Sequence, residues 1–188
     1  MSSYEELRSI ALAEFAAAGY SATSLQRIAE VAGLSKSSVL YHFASKEALL
    51  EAAVAPAVDR MENIIGSMEG QPLDGDRRRS FIVEFVDFLL AHRNEVYIFI
   101  NQATTLEDVP VIDRANRIVF RLATFFATAA NTTKDRVRFG IALGGAAYLL
   151  GTQRSFDTEP APVEETRSAL ISILSELLAP IAVPATSK

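Results

Sequence analysis

Leu7, Ile10, Ala11, Phe15 and Ala18 recur at the three- and four-residue spacing that lines one face of a helix, and Gly19 follows them as a stop. The same rhythm returns in segment after segment of the 188 residues, without strict two-residue alternation and without any βαβ order. An apolar stripe of that period is buried only against other elements of the same kind, so the chain is predicted to be all-α. Ser2 with Glu5, or Ser3 with Glu6, has capping-box spacing for the first helix. Thr23 is expected to cap a second helix, with Gln26 reaching back and Leu25, Ile28, Ala29 and Ala32 facing inward. Ser35 is placed to cap a third, from Lys36 to about His42, and Ser45 a fourth, spanning about 46–68 with a bend at Pro56.

The turn-rich residues 70–76 form the first clear linker. Beyond it, Phe81, Ile82, Phe85, Phe88 and Leu89 mark a helix ending near His92, and Val96, Tyr97, Phe99 and Ile100 a shorter one. Ile112, Ala115, Ile118, Val119, Leu122, Phe125 and Phe126 mark a longer one. Residues 134–154 and 163–179 form the last two helices, separated by a turn at 157–162.

Several function classes fall away on composition. With 49% hydrophobic and 22% charged residues the chain is not of the disordered class. The absence of cysteine removes disulfides and thiolate metal sites. Two histidines force no Ser-His-Asp grouping, and Asp87 and His92 are off a common helix face, so no catalytic residue, metal or cofactor is expected. The longest uncharged apolar run, residues 141–151, is shorter than the roughly 20 residues a bilayer span needs. The first residues lack the basic start and apolar core of a signal peptide, so a soluble cytoplasmic protein with no membrane partner is expected. Gly140 and Gly144 are not followed by Lys and Ser or Thr, so they form no phosphate loop. The run Arg77, Arg78, Arg79 reads as a solvated helix start, and Glu164 and Glu165 as first-turn acids.

The most specific pattern is Ala29, Gly33 and Val39. Two helices that cross closely in a helix-turn-helix need a small residue at the crossing, which Ala29 supplies. The turn four residues on needs positive φ, where glycine has no Cβ penalty, and Gly33 stands there. A branched apolar side chain then plugs the gap between the helices, and Val39 has that place. The charge balance runs against a DNA binder. The net charge is −5, and over residues 1–51 Arg8, Arg27, Lys36 and Lys46 are outnumbered by Glu5, Glu6, Glu14, Glu30, Glu47 and Glu51.

Around this core stand Gly19-Tyr20, Thr23-Ser24, Ala32-Gly33-Leu34-Ser35, Leu40-Tyr41-His42-Phe43 and Ser45-Lys46-Glu47. Together they closely resemble the TetR family of regulators. The resemblance implies a three-helix DNA-binding domain over 1–48, joined by helix 46–68 to a larger helical domain over 49–188 that binds an effector and dimerises. The third helix would enter the major groove and offer Lys36, Ser37 and Ser38 to base edges. Thr23 and Ser24 stand at a helix N-terminus suited to phosphate. Tyr41, His42 and Lys46 match family positions that grip the phosphate backbone, whereas Val39, Leu40 and Phe43 read as core. No basic arm precedes the first helix, so minor-groove contact is not expected and the salt dependence of binding should be shallow.

The resemblance also implies a largely apolar cavity among the C-terminal helices. Phe85, Phe88, Tyr97, Gln102, Asn116, Phe125 and Tyr148 are candidates to line it, which suggests a hydrophobic or aromatic effector. For each aromatic alone, ordinary helical core is the competing reading. Small residues Gly140, Gly144 and Gly145 on one helix, and the stripe Leu170, Ile173, Leu174, Leu177 and Leu178 on the last, fit the four-helix homodimer interface of that family. The function expected is a homodimeric repressor on a palindromic operator in double-stranded DNA, released by an effector. Two alternatives stand beside it: a regulator that needs no small molecule, and a small all-α enzyme with a vestigial DNA-binding segment.

Overall fold

The computed structural model describes residues 3–70, 73–102, 106, 109–130, 132–152 and 161–179, and every regular element among them is helical. The order is α1 (Ser3–Ala18), α2 (Leu25–Val31), α3 (Lys36–His42), α4 (Lys46–Gly66), α5 (Gly75–Ala91), α6 (Arg93–Gln102), α7 (Pro110–Ala129), α8 (Thr133–Phe139), α9 (Gly145–Thr152) and α10 (Val163–Leu178). A π-helical turn, Gly140–Gly144, joins α8 to α9, so the helix predicted over 134–154 is helical throughout its described part but widened at its glycines. Ser2 and the greater part of the turn at 157–162 lie outside the described residues.

The capping logic holds with one correction. Ser35 and Ser45 cap α3 and α4 by accepting from the amides of Ser38 and Ala48, each at 3.1 Å, and Asp74 caps α5 by accepting from Arg77 at 2.8 Å. The cap of α2, however, is Ser24, whose Oγ accepts from the amide of Arg27 at 3.1 Å. Thr23 does not cap. It is buried, and its hydroxyl donates to the carbonyl oxygens of Gly19 at 2.8 Å and Glu14 at 3.3 Å, closing the end of α1.

The chain forms two compact units. The first comprises residues 1–59 and 94–115, the second 60–93 and 116–188. In the first, Leu7, Ala11 and Phe15 of α1 are buried, as are Ile28 and Ala29 of α2, Val39 of α3 and Leu49 and Leu50 of α4. Val96 and Ile98 of α6 are buried in the same unit. The first unit therefore takes in α6 and the start of α7 as well as the three N-terminal helices. Arg114 pairs with Asp59 at 2.7 Å within it.

The second unit is built on aromatics. Phe81 packs on Phe85 with centroids 5.6 Å apart and on Phe126 at 5.3 Å, and Phe126 packs on Phe139 at 4.0 Å. α10 lies on α5 and α8, and the Arg167 guanidinium holds the Asp87 carboxylate through two bonds, at 2.5 and 2.9 Å. Leu170, Leu174 and Leu178 of α10 are buried, but Ile173 is exposed, so the last helix splits the predicted stripe between two faces. Along 133–152 the outward face carries Val137, Gly140, Ile141, Gly144, Gly145, Tyr148 and Leu149, all exposed.

Candidate nucleic-acid interface

The turn between α2 and α3 sets the site. Gly33 adopts φ +67°, the left-handed conformation that a Cβ disfavours, and the Leu34 amide closes the turn on the Ala29 carbonyl at 2.8 Å. Ala29 and Val39 are fully buried, as the helix-turn-helix geometry requires. With Val39 and Phe43 turned inward, the seven residues of α3 leave Lys36, Ser37, Leu40 and Tyr41 outward. These are one helical turn apart in pairs and share a face.

That face differs from the expected one at two places. Ser38 is half-buried, and its hydroxyl meets that of Ser35 at 2.9 Å within the cap. Leu40, expected in the core, is 42% exposed beside Tyr41 at 86%. Val39, the neighbour of Leu40 on the same helix, is by contrast fully buried. His42 is half-buried, with its ring 5.2 Å from that of Tyr41 and 6.4 Å from that of Tyr4, while Tyr4 stacks on Phe43 at 4.7 Å.

The proposed phosphate contacts divide the same way. Ser24 is exposed at the start of α2. Thr23 is 2% exposed with its hydroxyl engaged inside, so its side chain offers nothing to a ligand. Lys46 is half-buried, and its ammonium donates to the carbonyls of Tyr20 at 3.0 Å and Thr23 at 3.1 Å while lying 4.2 Å from the Tyr20 ring centroid. Two of its three donors thus hold the α1–α2 turn. Tyr20 also donates its hydroxyl to Glu47 at 2.9 Å. Burial, then that bond and the carboxylate's charge, push the Tyr20 hydroxyl well above its usual range. Glu47 is held below the usual carboxylate range by its backbone hydrogen bond first, then by the Ser45 and Tyr20 hydroxyls.

Gln102, a candidate for the effector cavity, is placed elsewhere. Its Oε1 accepts from the Tyr20 amide at 2.7 Å and its Nε2 donates to the Phe15 carbonyl at 2.9 Å, fastening α6 to the end of α1. No local pattern signals a bond across 82 residues. The other cavity candidates are dispersed. Phe85 is buried in the aromatic cluster, Phe88 and Phe125 are half-buried, and Asn116 and Tyr148 are exposed, all in the second unit, whereas Tyr97 lies in the first. A cleft of about 150 Å³ opens instead between the end of α4 and the start of α5, lined by Ile64, Ser67, Met68, Phe81, Arg77 and Glu84 among others. None of the candidates lines it.

The family described as "Bacterial regulatory proteins, tetR family" matches residues 7–53, the span from within α1 to the first turns of α4. These residues are a TetR-family segment. Over 51 residues the chain is 47% identical to the HTH-type transcriptional regulator RutR of Escherichia coli, and over 78 residues 36% identical to the HTH-type transcriptional regulator YerO of Bacillus subtilis. These stretches are 27% and 39% of this chain, and they span only about a quarter of the relatives' length, 24% and 27%. The TetR fold extends further than the sequence likeness. The ketosteroid transcriptional regulator KstR2 of Mycobacterium tuberculosis superposes with a TM-score of 0.67 at 20% identity, covering 96% of this chain and 95% of that one. AmtR of Mycobacterium smegmatis does so with a TM-score of 0.66 at 19% identity, covering 98% and 97%. Beyond the matched segment, the likeness to these regulators is one of fold, at 19–20% sequence identity. No helix among the described residues is long and apolar enough to cross a membrane.

Proposed function

We propose that this chain is a DNA-binding transcriptional regulator that acts as a homodimeric repressor on a palindromic operator. The observation that carries the reading is the outward face of α3, with Lys36, Ser37, Leu40 and Tyr41 presented by a turn whose Ala29, Gly33 and Val39 are all in place. Lys36 donates to guanine acceptors in the major groove, Ser37 supports it, and Ser24, Tyr41 and His42 engage phosphates. Residues 1–48 form the reading head, and 49–188 carry dimerisation and effector response. The exposed stripe Val137, Ile141, Tyr148 and Leu149, with Gly140, Gly144 and Gly145 between, supports dimerisation through the last helices. Exposed apolar side chains around small residues suit a second copy laid close against them.

A hydrophobic effector acting in the second unit fits its aromatic composition. The 150 Å³ cleft is about half the smallest volume common among drug-sized ligand sites, about 300 Å³. The packed state of Phe81, Phe85, Phe126 and Phe139 favours a second reading, a regulator that responds without a small molecule. Selection from a random DNA pool decides the main claim. The expected product is an inverted repeat with half-sites about one DNA turn, roughly 34–36 Å, apart, and a pool with no enriched sequence overturns it. Release of the selected DNA by apolar compounds separates the two readings of the second unit.

A further inference from the structure

We infer that Leu40 reads the 5-methyl group of a thymine lying within two base pairs of the guanine met by Lys36. The inference rests on the reading of α3 as the groove-entering helix and adds a base to it. Leu40 is 42% exposed and stands on the outward face with Lys36, Ser37 and Tyr41, between a neighbour that is fully buried (Val39) and one that is 86% exposed. Val39 and Phe43 nearby are buried, whereas Leu40 keeps 42% of its surface open.

An apolar side chain on a reading face gains by burial only where the groove offers apolar surface. In the major groove the thymine 5-methyl is that surface, since the other base edges present donors and acceptors. Ser38, the residue that would otherwise read a base here through its hydroxyl, has that hydroxyl engaged with Ser35. Leu40 lies four residues, about 6 Å along the helix, from Lys36. With successive base pairs about 3.4 Å apart, that places the thymine one or two steps from the guanine.

The test uses the full chain and the DNA sequence it selects. Each thymine of one half-site is replaced singly by deoxyuridine, which removes the methyl and leaves the pairing unchanged. One replacement is expected to weaken binding by about fourfold, the change that one buried methyl-sized group gives. L40A and L40S should lose that sensitivity, and L40M should keep it, with melting temperatures showing that each variant is folded. A half-site with no uridine-sensitive thymine, or sensitivity retained in L40A and lost in Y41A, overturns the inference and leaves the regulator reading standing. A pool that yields no enriched sequence overturns both.

Discussion

Gln102→Ala removes a side chain that makes two bonds to the backbone at the end of α1, and the two losses are unequal. The Phe15 carbonyl keeps the Gly19 amide as a donor at 3.1 Å, so it remains satisfied. The Tyr20 amide has the Gln102 Oε1 as its acceptor at 2.7 Å and, being in a buried residue, is left without a partner. Orphaning a buried donor costs about 1–3 kcal/mol, against about 1 kcal/mol for a bond whose partners find water. A loss of about 2 kcal/mol is therefore expected in urea unfolding followed by helical circular dichroism. Gln102→Leu, which refills the space without polar atoms, should lose a similar amount, and amide exchange at Tyr20 should quicken in both. The consequence reaches the start of α4, because Tyr20 also takes Lys46 on its carbonyl and gives its hydroxyl to Glu47. A change below about 0.5 kcal/mol, the ordinary range of surface substitutions, with Tyr20 exchange unaltered, refutes the reasoning.

Three further outcomes are expected. Thr23→Val should destabilise by about 1 kcal/mol in the same unfolding assay and Thr23→Ser by much less, since the hydroxyl bonded to the Gly19 carbonyl is what matters; equal stability of all three would refute that role for the hydroxyl. Gly33→Ala meets no atom within 4 Å, so the left-handed φ of +67° alone should cost about 1–2 kcal/mol, and a variant as stable as the parent would contradict the turn geometry. Asp87 should titrate by NMR below its ordinary 3.8, because the Arg167 guanidinium bonds its charged form, and Arg167→Ala should raise it. Since the folded value is the lower one, this pair's contribution to stability is complete above the ordinary value and is lost as pH falls through the depressed one.

The helix-turn-helix was legible in sequence because its constraints are local. A glycine that must take positive φ, an alanine at a crossing and a valine between helices are fixed by contacts within eleven residues, and Gly33, Ala29 and Val39 all stand as the spacing requires. The same holds for the caps at Ser35 and Ser45, which act over three residues. The miss at Thr23 is instructive, since Thr23 and Ser24 both have cap chemistry. The choice fell to Ser24 because the end of α1 offers Thr23 buried carbonyls to satisfy.

Sequence alone determined the helical class, the boundaries of the helices to within a few residues and the helix-turn-helix, since period, caps and glycines act along the chain. Tertiary structure decided which polar side chains are free. Lys46 and Gln102 carry the same chemistry as a phosphate grip and a ligand handle, but they are engaged by carbonyls and an amide brought from 23 to 87 residues away. It also buried Val39 fully while leaving Leu40 beside it 42% exposed. Buried backbone groups must find partners wherever the fold brings them, and that demand is met across distances no local spacing records.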